Sequence, residues 1–287
     1  MNANNRPETS TLSARRDGEQ FGQVSIWTLA ALGFLAYYIT VMWHEIMGHG
    51  LTLYLIGAHH FILTSTSMNS PDIQYTADTI TLGNRVVSVD GAISNIVLGL
   101  ALFPLFRSLT RKNANFTLRL FLWLLCALNI FLGFVYPVFS GIFGVADFAQ
   151  AILSLPHHAL LRVLEVVIGT LFCVITVRFF AVSFAEFPEN RWRLALIPYV
   201  SASIVFCLAG LRNPNGAHSM FISVLPAALM GQSILLFVTP IARRRQVVAP
   251  QSAPPQAASA SPTAILIALV FVVIIFLTAP GVHFTMP

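Results

Sequence analysis

Charge is what this sequence has least of: 9% of its 287 residues are Asp, Glu, Lys or Arg, where a soluble globular domain carries about 25%. Hydrophobic residues make up 56% and the mean hydropathy is +0.76, which excludes an ordinary soluble domain. Cysteine is nearly absent as well. Cys126, Cys173 and Cys207 all lie in apolar runs without C-x-x-C spacing. They read as small core residues, which excludes a disulfide framework or a thiolate metal site and leaves the redox compartment open. The polar first 23 residues lack a short apolar core followed by a small-residue cleavage site, so no cleaved signal peptide is expected. The net charge of +5 does not point to nucleic acid, because the basic residues sit at the ends of apolar runs and are not interleaved with aromatics.

What is present is a series of apolar runs, near 24–57, 86–106, 117–141, 159–185, 194–211, 219–242 and 263–282. A hydrocarbon core takes roughly 20 helical residues to cross. The expected fold is therefore an all-α polytopic membrane protein with six to seven transmembrane helices and a short β-like or irregular insertion after the first. The chain divides into a disordered polar N-terminus at 1–23, a membrane domain at 24–242, a basic and Pro/Ala/Ser linker at 243–262, and a C-terminal transmembrane helix at 263–287. That last helix reads as tethered. No internal repeat is visible. As one straight helix the first run would be about 51 Å long against a core of about 30 Å, so it must tilt, break or project.

The insertion, His59 to Asp90, is rich in Thr and Ser, and its β-branched residues and the turn at 69–72 suggest a short hairpin, with an irregular loop as the other reading. Positive charge sorts by side. Arg6, Arg15, Arg16, Arg107, Arg111, Lys112, Arg119, Arg191, Arg193, Arg243, Arg244 and Arg245 fall together, while Arg85 and Arg212 lie opposite and Arg162 and Arg178 within a run. This implies a cytoplasmic N-terminus, seven spans and an outer C-terminus.

Against this apolar background His44, Glu45 and His49 stand out. Ionisable residues at membrane depth cost roughly 2.5–3.5 kcal/mol each on insertion scales, and a bound metal would offset that. The motif HEIMGH is one residue longer than the H-E-x-x-H of zinc hydrolases, in which two imidazoles hold the ion and the Glu is the general base. Two histidines and a Glu satisfied within the bundle is the bland alternative. On an α-helix, residues five apart diverge by about 140°, so both imidazoles can meet one ion only if a π-type turn or break inserts a residue. Gly48 sits where such a turn would need backbone freedom.

The segment from His44 to Gly57 resembles the site-2 protease family of intramembrane zinc metalloproteases, which carry H-E-x-G-H and a Gly eight positions after the second His, as Gly57 follows His49. Asp90 to Asn95 is similar to a small-residue and Asn motif of that family, and Asn129 with Phe139 to Asp147 resembles the region that supplies its third zinc ligand. The resemblance covers about 24–150 and implies His44, His49 and Asp147 as ligands of Zn2+ and Glu45 as the base. It departs in the extra residue between the histidines and in lacking the usual Asp-Gly order. Dipeptidyl-peptidase III, with H-E-x-x-G-H, is an example of the longer spacing on zinc.

Topology brings the two halves together without the family. His44 lies about 30 Å along the first run, near the outer boundary, and Asp147 follows a run that starts on the cytoplasmic side near Arg119. This is opposite to the family's usual sidedness. Asn95 and Asn129 are candidates for holding substrate backbone or an oxyanion, or are interhelical hydrogen bonders. His59, His60, His157 and His158 form adjacent pairs whose side chains diverge, and Arg162 and Glu165 look like an internal ion pair.

The expected function is an intramembrane zinc metalloprotease acting on a membrane protein or peptide, in a bacterial inner (plasma) membrane, without nucleic acid. The insertion could offer a strand edge to the substrate. The alternatives are a membrane metal-dependent lipid amidase or esterase and a non-enzymatic metal-binding or transport protein. A di-iron lipid oxidase would need several His-rich boxes, which the sequence lacks.

Overall fold

A computed structural model describes residues 24–73, 81–187, 190–214, 216–244 and 260–287. The polar N-terminus at 1–23, part of the insertion and most of the basic and Pro/Ala/Ser linker lie outside them. The fold is an all-α polytopic membrane protein. Among the described residues six helical stretches are long and apolar enough to cross a membrane, at Ile26–Leu55, Leu82–Arg111, Phe116–Phe143, His158–Phe184, Arg191–Gly210 and Gly216–Arg244, with a shorter apolar helix at Pro262–Thr278.

The first stretch is α1 (Ile26–Trp43), a π-helical turn (His44–Gly50) and α2 (Leu51–Leu55). Then come β1 (His60–Leu63) and β2 (Met68–Asn69), followed by α3 (Leu82–Arg111), α4 (Phe116–Phe143) and the short α5 (Ala146–Ala151). After these lie α6 (His158–Phe184), α7 (Arg191–Gly210), α8 (Gly216–Ser219) running into π-helical turns, α9 (Ile234–Arg244), α10 (Pro262–Thr278) and β3 (Val282–Thr285).

The helices start where a short polar side chain can take up an otherwise unpaired N–H. Ser25 accepts from Trp27 N, Thr81 from Asn84 N, Asn115 from Thr117 N, Asn190 from Trp192 N and Ser261 from Ala264 N. Proline is tolerated inside α3, α4, α7 and α9, at Pro104, Pro137, Pro198 and Pro240. Neighbouring helices shield a locally broken ladder in such spans.

Helix α4 is the central post, packed on α1, α3 and α6, and its run from Leu122 to Gly133 is buried throughout. Helix α6 is the opposite case. Only 17% of its apolar window is buried, so most of its surface faces lipid. Lipid tails are as apolar as leucine, so helices associate by close packing and hydrogen bonds. Glycines set the α3–α4 approach: a Cβ at Gly99 would lie 2.5 Å from Ile130 Cγ1, and one at Gly133 would lie 2.6 Å from the Ala92 carbonyl.

The insertion does contain a hairpin, and it gains a strand the sequence did not suggest. The sheet has the order β2-β1-β3, antiparallel throughout. β3 pairs with all of β1, from His60 opposite Thr285 to Leu63 opposite Val282. Helix α10 delivers it by running alongside α1. Ser261 N donates to Thr28 Oγ1 at 2.9 Å near the start of α1, Phe271 lies 5.1 Å from Tyr38 between ring centres, and β3 then meets the hairpin beyond α2. The last apolar run is therefore built into the fold at both ends, not merely tethered.

Candidate metal centre

The seven residues His44 to Gly50 form the π-helical turn. This is the inserted residue that the five-residue spacing requires, and it puts both imidazoles on one side. Their Nε2 atoms are 3.2 Å apart, with the rings edge-on at 86°. Gly48 serves here by size and not by an unusual φ. A Cβ on it would lie 2.4 Å from Gly91 Cα, and one on Gly91 would lie 2.5 Å from His44 Nε2. The turn and α3 touch through two glycines, which leaves room for the imidazole.

Asp147 completes the group. Its Oδ2 lies 3.1 Å from His44 Nε2 and 3.4 Å from His49 Nε2. It stands in the first turn of α5, a short helix that follows α4 through Gly144 and Ala146, both with positive φ (67° and 65°). Arginines fix that turn from two sides. Arg162 donates Nε to the Gly141 carbonyl and Nη2 to the Ile142 carbonyl, each at 2.8 Å, and Arg85 donates to the Ala151 carbonyl. Arg162, expected to pair with Glu165, gives its hydrogen bonds to the end of α4 instead; it acts on Glu165 through its charge alone, and the buried oxygens of Glu165 have no hydrogen-bond partner.

His44, His49 and Asp147 are the metal-ligand group found among the described residues. A tetrahedral ion with bonds of about 2.0–2.1 Å holds its ligand atoms roughly 3.3 Å apart. The three separations here, 3.1, 3.2 and 3.4 Å, fit that triangle. The outer nitrogen of His49 fits as well. His49 Nδ1 faces the Val87 carbonyl at 2.7 Å, so it carries the proton and leaves Nε2 with a free lone pair. His44 Nδ1 faces Asn95 Nδ2, an amide donor, at 3.2 Å, and Asn95 Oδ1 is buried without a partner. A proton on Nδ1 pairs with that oxygen once the amide presents it, and His44 Nε2 is then free to ligate. Burial alone would push the Asp147 carboxyl up. Protons carried on Nε2 of His49 and His44 outweigh it and hold the group well below the ordinary carboxylate range, a place that a metal ion on those nitrogens would take.

Glu45 is buried beside the triangle, and its Oε2 accepts the Met68 N–H of β2 at 2.8 Å. The β1–β2 hairpin thus lies directly over the base. The Tyr136 ring stacks on His44 at 4.6 Å, and Trp43 Nε1 donates to the Ser94 carbonyl at 3.1 Å, tying the end of α1 to α3. Asp147 is the most exposed of the three ligands, at 21% of its side chain, so the centre opens on the α5 side.

The two asparagines separate. Asn95 reaches His44, whereas Asn129 donates Nδ2 to Thr40 Oγ1 and to the Leu125 carbonyl, both at 2.8 Å, and is an interhelical hydrogen bonder between α4 and α1. Of the histidine pairs, His60 Nδ1 meets Asp72 Oδ1 at 2.9 Å on the surface, and His157 precedes α6 with a φ of 59°. Neither pair joins a metal-ligand group among the described residues. Val87, Gly91, Tyr136 and Met68 were missed in the sequence. Three of them contribute through a carbonyl, an N–H or the lack of a side chain, which residue types do not signal.

No protein family, characterised protein or solved structure matches this chain in comparison.

Proposed function

We propose that the chain is an intramembrane zinc metalloprotease that hydrolyses peptide bonds in membrane-embedded or membrane-adjacent segments. The observation that carries this reading is the ligand triangle of His44, His49 and Asp147, at tetrahedral spacing and flanked by the buried carboxylate of Glu45. Zinc, when bound, acidifies water toward a pKa of about 7 and polarises a carbonyl. Asn95 and the Val87 carbonyl orient the two imidazoles. Glu45 is the group that takes the proton from water and passes it to the leaving amine, and the Met68 N–H fixes its carboxylate.

The hairpin favours a peptide over a lipid amide or ester. The Met68 N–H turns away from β1 and is held by Glu45, so the outer edge of β2 meets the base, and a substrate strand that displaces this bond can pair along that edge. A lipid amidase would instead need a laterally open apolar cleft. In the cell the reading implies a bacterial inner membrane with a cytoplasmic N-terminus, and the centre then opens on the outer side.

The decisive experiment compares Glu45→Gln with His44→Ala in purified protein. Glu45→Gln should keep one zinc per chain and lose peptide hydrolysis by a factor of at least about 100, within the range for a lost general base. His44→Ala should lose the metal. Undiminished cleavage by Glu45→Gln would refute the mechanism.

A further inference from the structure

The hairpin over Glu45 is not held by its own two strands alone. β2 offers only two residues to β1, and a two-stranded hairpin is marginal in water at best. Its tip is tied to Asn213, which accepts from Ser65 Oγ at 2.9 Å and donates to Thr66 Oγ1 at 3.2 Å, and its strands are supported by the segment after α10. β3 pairs along the whole other edge of β1, Met286 N donates to the His59 carbonyl at 2.9 Å, and Tyr54 OH donates to the Pro287 carbonyl at 3.3 Å. Phe284 stacks on Phe61 at 5.4 Å and 16°, and Phe61 is only 1% exposed beneath it. Together with Met286, Phe284 closes a small apolar cluster of Leu53, Ala58, Phe61, Met68 and Val87, separate from the main core.

That cluster joins the tail to the centre. Met68 sends its N–H to Glu45 and lays its side chain against Gly50, while Val87 supplies the carbonyl that orients His49. Yet the docked segment is shallow. Val282, His283 and Thr285 are exposed, so Phe284 is the one side chain of β3 that anchors it. A strand held by a single aromatic over four residues belongs to the low end of local stability.

We propose that residues 282–287 are a latch: docked on β1 they hold the hairpin strands closed over Glu45, and undocked they leave them free to lift about the Asn213 tie, so that access to Glu45 from the hairpin side is set by this segment, apart from the opening at Asp147. This deepens the proposed function, but its test uses neither zinc nor turnover. Three proteins are compared in detergent: the parent, Phe284→Asp and a chain without residues 282–287. Phe284→Tyr, which keeps the ring, is the conservative control. Amide exchange over 59–69 should be at least ten-fold faster in the two disrupted chains and unchanged in Phe284→Tyr. Amides of the buried run 122–133 should keep parental protection in all of them, which reports an intact bundle. A Glu45→Cys reporter placed in each background, its label located by peptide mapping apart from those on Cys126, Cys173 and Cys207, should react with a soluble maleimide at least ten-fold faster when the latch is disrupted.

Parental exchange over 59–69 in Phe284→Asp would overturn the latch, as would fast exchange with no gain in maleimide labelling of the Glu45→Cys reporter. Loss of protection over 122–133 in the shortened chain would overturn it too, because residues 282–287 would then support the whole bundle and not the hairpin. The metal-centre reading fails on different data, an absence of bound zinc in the parent, and that result leaves these outcomes in place.

Discussion

The two halves of the first membrane stretch follow different rules. Ile26–Trp43 is a regular α-helix, apolar on every side, and 12 of its residues are buried. Its few polar side chains make single hydrogen bonds to several neighbours: Thr40 donates to the Ala36 carbonyl and accepts from Asn129, Tyr37 donates to the Ala227 carbonyl and Thr28 accepts from Ser261 N. From His44 the backbone becomes a π turn, and buried polar residues replace the apolar ones. Their partners come from Met68, Val87, Asn95 and Asp147. The first half is held by packing and can be read as a hydrophobic run. The second is held by polar groups that converge on three buried ionisable side chains, and its irregular backbone is what brings both imidazoles to them.

Two glycines test that contrast most severely. A Cβ at Gly33 would lie 2.2 Å from Pro198 Cα, and one at Gly91 would lie 2.5 Å from His44 Nε2. Gly33→Ala should therefore separate α1 from α7 and cost about 1–3 kcal/mol of stability, the usual range for overpacking, with zinc stoichiometry intact in the protein that folds. Gly91→Ala should leave thermal stability near that of the parent. It should weaken zinc binding by more than about 100-fold, since the added methyl occupies the place of a ligand nitrogen, a direct obstruction that exceeds the usual loss from an outer partner. Zinc content by mass spectrometry and a melting curve for each variant decide the matter. Equal zinc content in the two would mean that the centre tolerates displacement of His44.

The asparagines give the same contrast at lower amplitude. Asn95→Leu should lower zinc affinity by about 10- to 100-fold, the typical loss when a partner behind a ligand is removed. Asn129→Leu should leave zinc affinity unchanged and lower stability by about 0.6–1.7 kcal/mol, the range for an interhelical hydrogen bond in a membrane. Competition with a chelator measures the first and thermal unfolding the second. A zinc defect in Asn129→Leu would join the two halves into one functional unit.

The spans were legible because apolar length is a strong, local signal: every run read from the sequence overlaps a helix. The π turn was legible too, because H-E-x-x-x-H cannot place both histidines on one face of a regular helix. Asp147 came only through resemblance and topology, and it lies 3.1 Å from His44. Besides Val87, Gly91, Tyr136 and Met68 at the centre, three things escaped. The roles of Asn95 and Asn129 could not be told apart, since an amide in a span pairs equally well with a helix or with a ligand. Arg162 was paired with Glu165 by helical spacing, but it caps α4 across a turn that spacing does not describe. β3 escaped because its pairing with β1 joins segments more than 200 residues apart, and Val282–Thr285 is a short run with no periodicity of its own.

The smallest effect is electrostatic and lies in the hairpin beyond the second half. Asp72 accepts the backbone N–H groups of His59 and His60 at 2.7 and 2.8 Å, which with the His60 imidazole lowers its carboxyl to about 2. A depressed carboxyl stabilises the fold fully only where it is ionised in both states. Its contribution is present above the unfolded value near 4, falls as pH drops below that, and is gone once pH passes the folded value of about 2. Exchange over 59–69, corrected for its intrinsic pH dependence, should be flat from about pH 7 to about pH 4 and rise below that. In Asp72→Asn the rise should vanish. Ile26–Trp43 contains no carboxylate and no imidazole, so its protection should stay level across that window. A parallel loss of protection there would mean that the hairpin and the first helix open as one body. The local support that distinguishes the second half would then be lost.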